Sequence, residues 1–150
     1  MTRLCRVLAP VVAVTALLLA WPAPAPAAAA ALPTCDGAVW APLNAGPGQA
    51  KRFLPTDHSL SANCQLQLND YNNFGVVALQ EALIDCYGQS ITRDGDFGPR
   101  TEDALKTAQL WEQYVNHKPI GVTGVYKPPT RDAIMWPTYV NGVRTGCRYW

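Results

Sequence analysis

Two histidines, eleven carboxylates and five cysteines are the groups in this 150-residue chain best suited to catalysis or metal binding. Their spacing does not assemble either function. A hydrolytic zinc centre needs three protein ligands beside an open position. His58, in Thr-Asp-His-Ser, and His117, in Val-Asn-His-Lys, stand far apart without ligand-like neighbours. Glycoside hydrolysis needs two carboxylates facing each other across a cleft. Asp94, Asp96, Glu102 and Asp103 are close in sequence, but turn chemistry and favourable charge at a helix start account for all four. Asp94-Gly95-Asp96 opens like a calcium loop and then lacks the later ligands and the terminal Glu. No Gly-x-Ser-x-Gly stands in the chain, so no serine is marked as a nucleophile. The expectation is a binder with no catalytic residue, no metal and no cofactor. Binding of sugars or peptides calls for exposed aromatic faces beside a few polar groups. Tyr114, Tyr126, Trp136, Tyr139 and Trp150 are the aromatic candidates, with Arg100, Arg131 and Asn141 as hydrogen-bond partners. Phe97, Trp111 and Tyr126 sit on repeat or helix stripes and are assigned to the core.

The elements that must position these residues include a repeat. Residues 94–105, DGDFGPRTEDAL, and residues 123–134, TGVYKPPTRDAI, share one pattern at an offset of 29. Gly95 and Gly124 suit a turn with positive φ. Phe97 and Tyr126 place a ring ahead of a helix, and Pro99 and Pro128 suit its first turn. Thr101, Asp103, Thr130 and Asp132 put oxygen atoms where a helix leaves free N–H groups. One loop-into-helix unit is used twice. A first helix is expected from an Asn72 or Asn73 cap, through Val76, Leu79, Leu83 and Tyr87, to Gly88. The second is expected from Pro99 to about Val115, with Ala104, Ala108, Trp111 and Val115 on its apolar face. The third is expected from about Pro129 to Trp136, ended by Pro137. Gln80 and Gln109 either bridge the repeat loops to the helices or face solvent.

Three blocks in order now carry a resemblance. They are Val76-x-x-Leu79-Gln80-x-x-Leu83; Asp94-Gly95-x-Phe97-Gly98-Pro99-x-Thr101-x-x-Ala104-Leu105-x-x-x-Gln109; and Gly124-x-Tyr126-x-Pro128-x-Thr130. Over about residues 66–137 the chain resembles the bacterial three-helix peptidoglycan-binding domain family. Ala108 stands where the family has a large aromatic, and Trp111, one turn on, is expected to fill that volume. Thr123 and Lys127 replace an Asp and a Gly. The resemblance implies a mainly α fold, a small three-helix domain with an internal loop-helix pseudo-repeat, and peptidoglycan as the ligand.

Residues 1–31 read as a secretory signal peptide: Arg3 and Arg6, an apolar run from Leu8 to Ala20, then Ala-x-Ala sites such as Ala25-Pro26-Ala27. Arg3 and Arg6 are two of the twelve basic residues, so the remainder carries ten against eleven acids. That balance excludes the clustered basic surface nucleic acid requires, and no later segment is long enough to span a membrane. Cys35, Cys64, Cys86 and Cys147 remain in an oxidising compartment and read as two disulfides. Cys35–Cys64 would bracket the segment without periodicity, and Cys86–Cys147 would pin the tail to the end of the first helix. Cys64–Cys86 is disfavoured, because most of the first helix separates them: about ten helical residues span roughly 15 Å, and a disulfide needs about 5.5 Å between Cα atoms. Cys35–Cys86 with Cys64–Cys147 stays open.

The expected organisation is therefore a signal peptide (1–31), an irregular N-terminal segment (32–65), and a peptidoglycan-binding-like domain with a docked C-terminal tail (66–150). The expected protein is secreted and cell-wall associated. It binds glycan or stem peptide alone or beside a separate wall hydrolase. The competing expectation is a secreted inhibitor or protein-interaction domain on the same scaffold.

Overall fold

Asn73 starts the first helix because its side chain can satisfy N–H groups that the helix leaves free. In the computed structural model, which describes residues 30–43 and 50–150, Asn73 Oδ1 accepts from the N–H groups of Gly75 at 2.7 Å and Val76 at 3.2 Å. Helix α1 (Phe74–Tyr87) ends at Gly88, whose φ of 65° releases its N–H to Ile84 and that of Gln89 to Leu83. Gly75 has a packing reason: a Cβ there would lie 2.2 Å from the Cys35 carbonyl oxygen. Helix α2 (Pro99–Tyr114) and the six-residue α3 (Pro128–Ala133) each begin on the proline of the repeat. Gly95 and Gly124 both take positive φ, 81° and 70°.

The expectation of a mainly α fold with an irregular N-terminal segment is overturned. The structure contains a four-stranded antiparallel sheet in the order β1 (Gly37–Pro42), β2 (Lys51–Thr56), β3 (Met135–Val140), β4 (Val143–Tyr149). Two strands come from the segment read as irregular and two from the tail. The third helix stops at Ala133, and Pro137 lies inside β3 opposite Cys147 rather than ending a helix. The strand signals are muted because each of β1, β2 and β3 contains a proline, a residue that ordinarily argues against a strand. The tail does hold a hairpin signal. Asn141 and Gly142 both take positive φ, 51° and 79°, as a two-residue antiparallel turn requires.

Helix α1 touches all four strands and α2, which is why its first turns are buried on nearly every side. The core joins Leu79 and Leu83 of α1 to Leu105 of α2, Leu54 of β2, Phe97, Tyr126, Ile134 and Trp136. Cys35 pairs with Cys64 and Cys86 with Cys147, at Cα separations of 5.1 and 5.8 Å. The first bond anchors the chain ahead of β1, and the second ties the end of α1 to β4.

The buried stripe of α2 also differs from expectation. Thr101, Ala104, Leu105, Ala108, Gln109 and Glu112 are buried, whereas Trp111 and Val115 are about half exposed, at 53% and 50%. Trp111 therefore does not fill the space beside Ala108. Polar Gln109 and Glu112 go inside because each finds partners there. Glu112 accepts from the Tyr87 hydroxyl at 2.6 Å, the Asn116 amide at 3.0 Å and the Tyr149 hydroxyl at 3.2 Å. Burial, with help from Glu112, pushes the Tyr87 hydroxyl pKa far upward. The expected signal peptide lies outside the described residues apart from Ala30 and Ala31. No helix among the described residues is long and apolar enough to cross a membrane.

Candidate functional site

The repeat builds one clamp twice. The Gln80 amide Nε2 donates to the Asp94 carboxylate at 2.8 Å, the Asp96 carbonyl at 3.1 Å and the Thr101 hydroxyl at 3.1 Å, while its oxygen accepts from Gly95 N–H at 2.9 Å. Twenty-nine positions later, Gln109 donates to the Val125 carbonyl and the Thr130 hydroxyl and accepts from Gly124 and Thr123 N–H. Both amides therefore bridge loop to helix. The shared residues Gly95/Gly124, Phe97/Tyr126, Pro99/Pro128 and Thr101/Thr130 are explained by this construction. They are scaffold.

What the two copies do not share is on the surface. Where the second loop has Thr123, Val125, Lys127 and Pro129, the first has Asp94, Asp96, Gly98 and Arg100. These four, with Ile91, Thr92, Pro99 and Thr101, line a groove of about 400 Å³. It continues on one side into a depression of about 230 Å³ beside Asn72, Phe74 and Val77. On the other it meets a shallow trough beside Gln89, Ser90, Asp103 and Thr107. Asp94 is fixed by its two partners: the Asp96 N–H and the Gln80 amide hold its carboxyl below the ordinary range. Asp96 accepts from Asn72 N–H at 3.0 Å. Gly98 caps α2 without a side chain, so no cap oxygen takes up the free N–H groups of the first turn, and Arg100 of that turn lines the groove. The groove thus carries the acidic Asp94 and Asp96 together with the basic Arg100.

Six of the ligand candidates read from the sequence, Arg100, Tyr114, Arg131, Trp136, Tyr139 and Asn141, are scattered. Arg100 is exposed and lines the groove. Tyr114 is 68% exposed but lies fourteen residues along α2, about 21 Å away. Trp136 is fully buried, its indole N–H given to the Arg131 carbonyl at 3.0 Å and its ring edge-on to Tyr126. It offers no face to a ligand. Arg131 donates to the Ala62 carbonyl and to Asp132, and its guanidinium lies 4.9 Å from the Trp150 ring, with Arg52 at 5.2 Å from the same ring. Asn141 is the tip of the β3–β4 turn. Tyr139 donates to Glu81 and Asp85 of α1, and burial with these two carboxylates raises its pKa strongly.

Sequence reasoning missed the surroundings of Tyr139. Glu81, Ile84, Asp85, Arg93 and Arg144 complete with it a second, polar cavity of about 380 Å³. Arg93 donates to Glu81 at 2.8 Å and Arg144 to the Asp85 carbonyl at 3.2 Å. Trp40 and Phe53 pack beside it, with the Trp40 ring 5.2 Å from Tyr139 and 5.0 Å from Phe53. Glu81 and Asp85, four apart on one helix face, were the available signal. Their partners come from strands the sequence did not announce. No cluster of three or more His, Cys, Asp or Glu that could hold a metal ion is present among the described residues.

Residues 72–115 match a family model described as a putative peptidoglycan binding domain. The matched stretch contains α1, the first repeat loop and α2, and therefore the whole groove. No curated protein and no solved structure matches the chain.

Proposed function

We propose that this chain binds peptidoglycan non-covalently, without cleaving it, through the groove between α1 and the start of α2. The observation that carries this reading is the coincidence of the family match with the groove, where the two repeat copies diverge only on the surface. A wall stem peptide carries both carboxylate and ammonium groups, and the groove offers charges of both signs to match. Arg100 and the α2 N-terminus would take a carboxylate, and Asp94 with Asp96 an ammonium. Exposed Phe74 would pack against apolar side chains. The chain would be exported and wall-associated, with the 1–31 segment as its signal peptide. Its disulfides suit an oxidising compartment. It would act alone or by holding a separate wall hydrolase near its substrate. Residues 66–150 would form the binding domain, on which the 32–65 segment adds its strands to those of the tail.

Soluble stem-peptide fragments test the reading. Amide signals of residues 72–77 and 89–101 should shift saturably, and Arg100→Ala and Asp94→Ala should each weaken binding about fivefold to tenfold. These losses correspond to roughly 1–1.4 kcal/mol, ordinary for one charge-assisted contact at a partly exposed site. Shifts confined to residues outside these two stretches would contradict it.

A further inference from the structure

We infer a second ligand subsite, whose wall residue Arg93 adjoins Asp94 of the groove, built to hold a neutral N-acylated sugar. Its walls are Tyr139 of β3, Glu81 and Asp85 of α1, Arg93 of the first repeat loop and Arg144 of β4, and Trp40 of β1 packs against the Tyr139 ring. Two carboxylates face two guanidinium groups, so the cavity has no net charge. A charged ligand would lose its hydration there without a compensating field. A neutral, hydroxyl- and amide-rich one would not. Hydrogen-bonding capacity remains for it. Each guanidinium has five N–H donors, and among the described residues Arg93 and Arg144 each spend one on the protein. The Asp85 carboxylate receives only the long 3.3 Å bond from Tyr139 among the described residues. An acetamido group presents one carbonyl and one N–H, which these spare donors and acceptors match.

The aromatic neighbour supplies the other half of sugar recognition. Trp40 is 51% exposed, yet its ring is fixed by Phe53, its partner across β1–β2, and by the edge of Tyr139. A fixed, half-bare indole costs little entropy to use and offers a flat apolar surface for the C–H face of a pyranose. Glu81 is 7% exposed and accepts from both Tyr139 and Arg93. It holds the tyrosine hydroxyl and one guanidinium in place before any ligand arrives. Because Arg93 and Asp94 are neighbours, one wall fragment could place its sugar here and its peptide in the groove.

The choice of sugar rests on the wall-binding reading, and the probe lets the two fail separately. A β-1,4-linked tetramer of N-acetylglucosamine, which carries no peptide, is titrated into the full-length chain. The indole N–H signal of Trp40, identified with Trp40→Phe, is followed together with the amides of Glu81, Asp85 and Arg144. Saturable shifts at these positions are expected. Trp40→Ala and Asp85→Asn should each weaken binding tenfold or more while retaining a folded amide spectrum, and Tyr114→Ala, at an exposed position far along α2, should leave it unchanged. Absence of saturable shifts at millimolar tetramer, undiminished binding in both folded variants, or shifts confined to residues 72–77 and 89–101 would overturn the inference. If the tetramer binds as expected while stem peptides leave the groove unshifted, the subsite stands and the groove reading falls.

Discussion

Replacing Gln80 by Leu tests whether the amide clamp is what holds the first repeat loop over α1. The side chain is 1% exposed, and leucine is close to it in volume, so packing changes little. What disappears is a set of four hydrogen bonds. Their former partners are not equally harmed. The Asp94 carboxylate is exposed and takes up water. The Asp96 carbonyl keeps the Gly98 N–H at 2.9 Å and the Thr101 hydroxyl at 3.1 Å. The buried Gly95 N–H keeps no partner among the described residues. An orphaned buried donor costs about 1–3 kcal/mol, and losing the bond to a carboxylate adds about 1 more. The expected destabilisation is about 2–4 kcal/mol. At a urea dependence of about 2 kcal/mol per molar, the middle of the usual range, the unfolding midpoint followed by far-ultraviolet circular dichroism falls by roughly 1–2 M. Gln109→Leu should cost slightly less: it too strands one buried N–H, that of Gly124, but it loses no bond to a carboxylate. Stability within about 0.5 kcal/mol of the parent for both variants, the scatter of neutral surface changes, would refute the clamp.

Gly75→Ala should destabilise by about 3 kcal/mol or more by urea unfolding. Its new Cβ meets the backbone of Cys35, which is held by a disulfide and cannot give. Gly124→Ala should cost less than that, since the Cβ there meets the flexible side chains of Glu102 and Lys106. Tyr126→Phe should be neutral or stabilising by up to about 1 kcal/mol in thermal unfolding. The hydroxyl is buried without a partner among the described residues, and removing an unsatisfied group removes its desolvation cost. Stability should fall as pH drops below about 4. The hydroxyl of Ser59 and the N–H groups of Ser61 and Ser59 hold the Asp57 carboxyl below its ordinary range, as their counterparts do for Asp94. Between the folded and unfolded pKa values the native chain binds fewer protons, so the stabilisation is complete above that window and lost through it. Asp57→Asn should therefore lower stability at neutral pH and flatten the acid slope.

The helical half of this fold was legible because local chemistry determines it. Asn73 caps α1, Gly88 ends it, and the prolines at 99 and 128 start the next two helices, each through neighbours a few residues away. The sheet was not legible, because its strands are short, contain Pro42, Pro55 and Pro137, and pair β2 with β3 across most of the chain. Only Asn141-Gly142 announced a hairpin locally, and it was read as a ligand contact. Trp111 and Trp136 exchanged roles for the same reason. Helical spacing placed Trp111 inside, yet Gln109 and Glu112 turn the buried stripe away from it. Trp136, expected at the end of the third helix as a ligand candidate, is carried into the core by β3. Of the candidate site, Arg100 was chosen from the sequence and does line the groove. Asp94 and Asp96 were set aside there as turn residues, and they are turn residues. Only comparing the two folded loops shows that the second makes the same turn without them.

Sedimentation with insoluble, purified peptidoglycan tests the central claim most directly. The mature chain should move into the pellet saturably, and the supernatant should gain no reducing sugar or free amino group during long incubation. Arg100→Ala combined with Asp94→Ala should leave a folded protein that stays largely in solution. Parent protein remaining in the supernatant at every peptidoglycan concentration would contradict wall binding. Steady release of soluble fragments, abolished by substituting one carboxylate, would show that the chain cleaves what it binds.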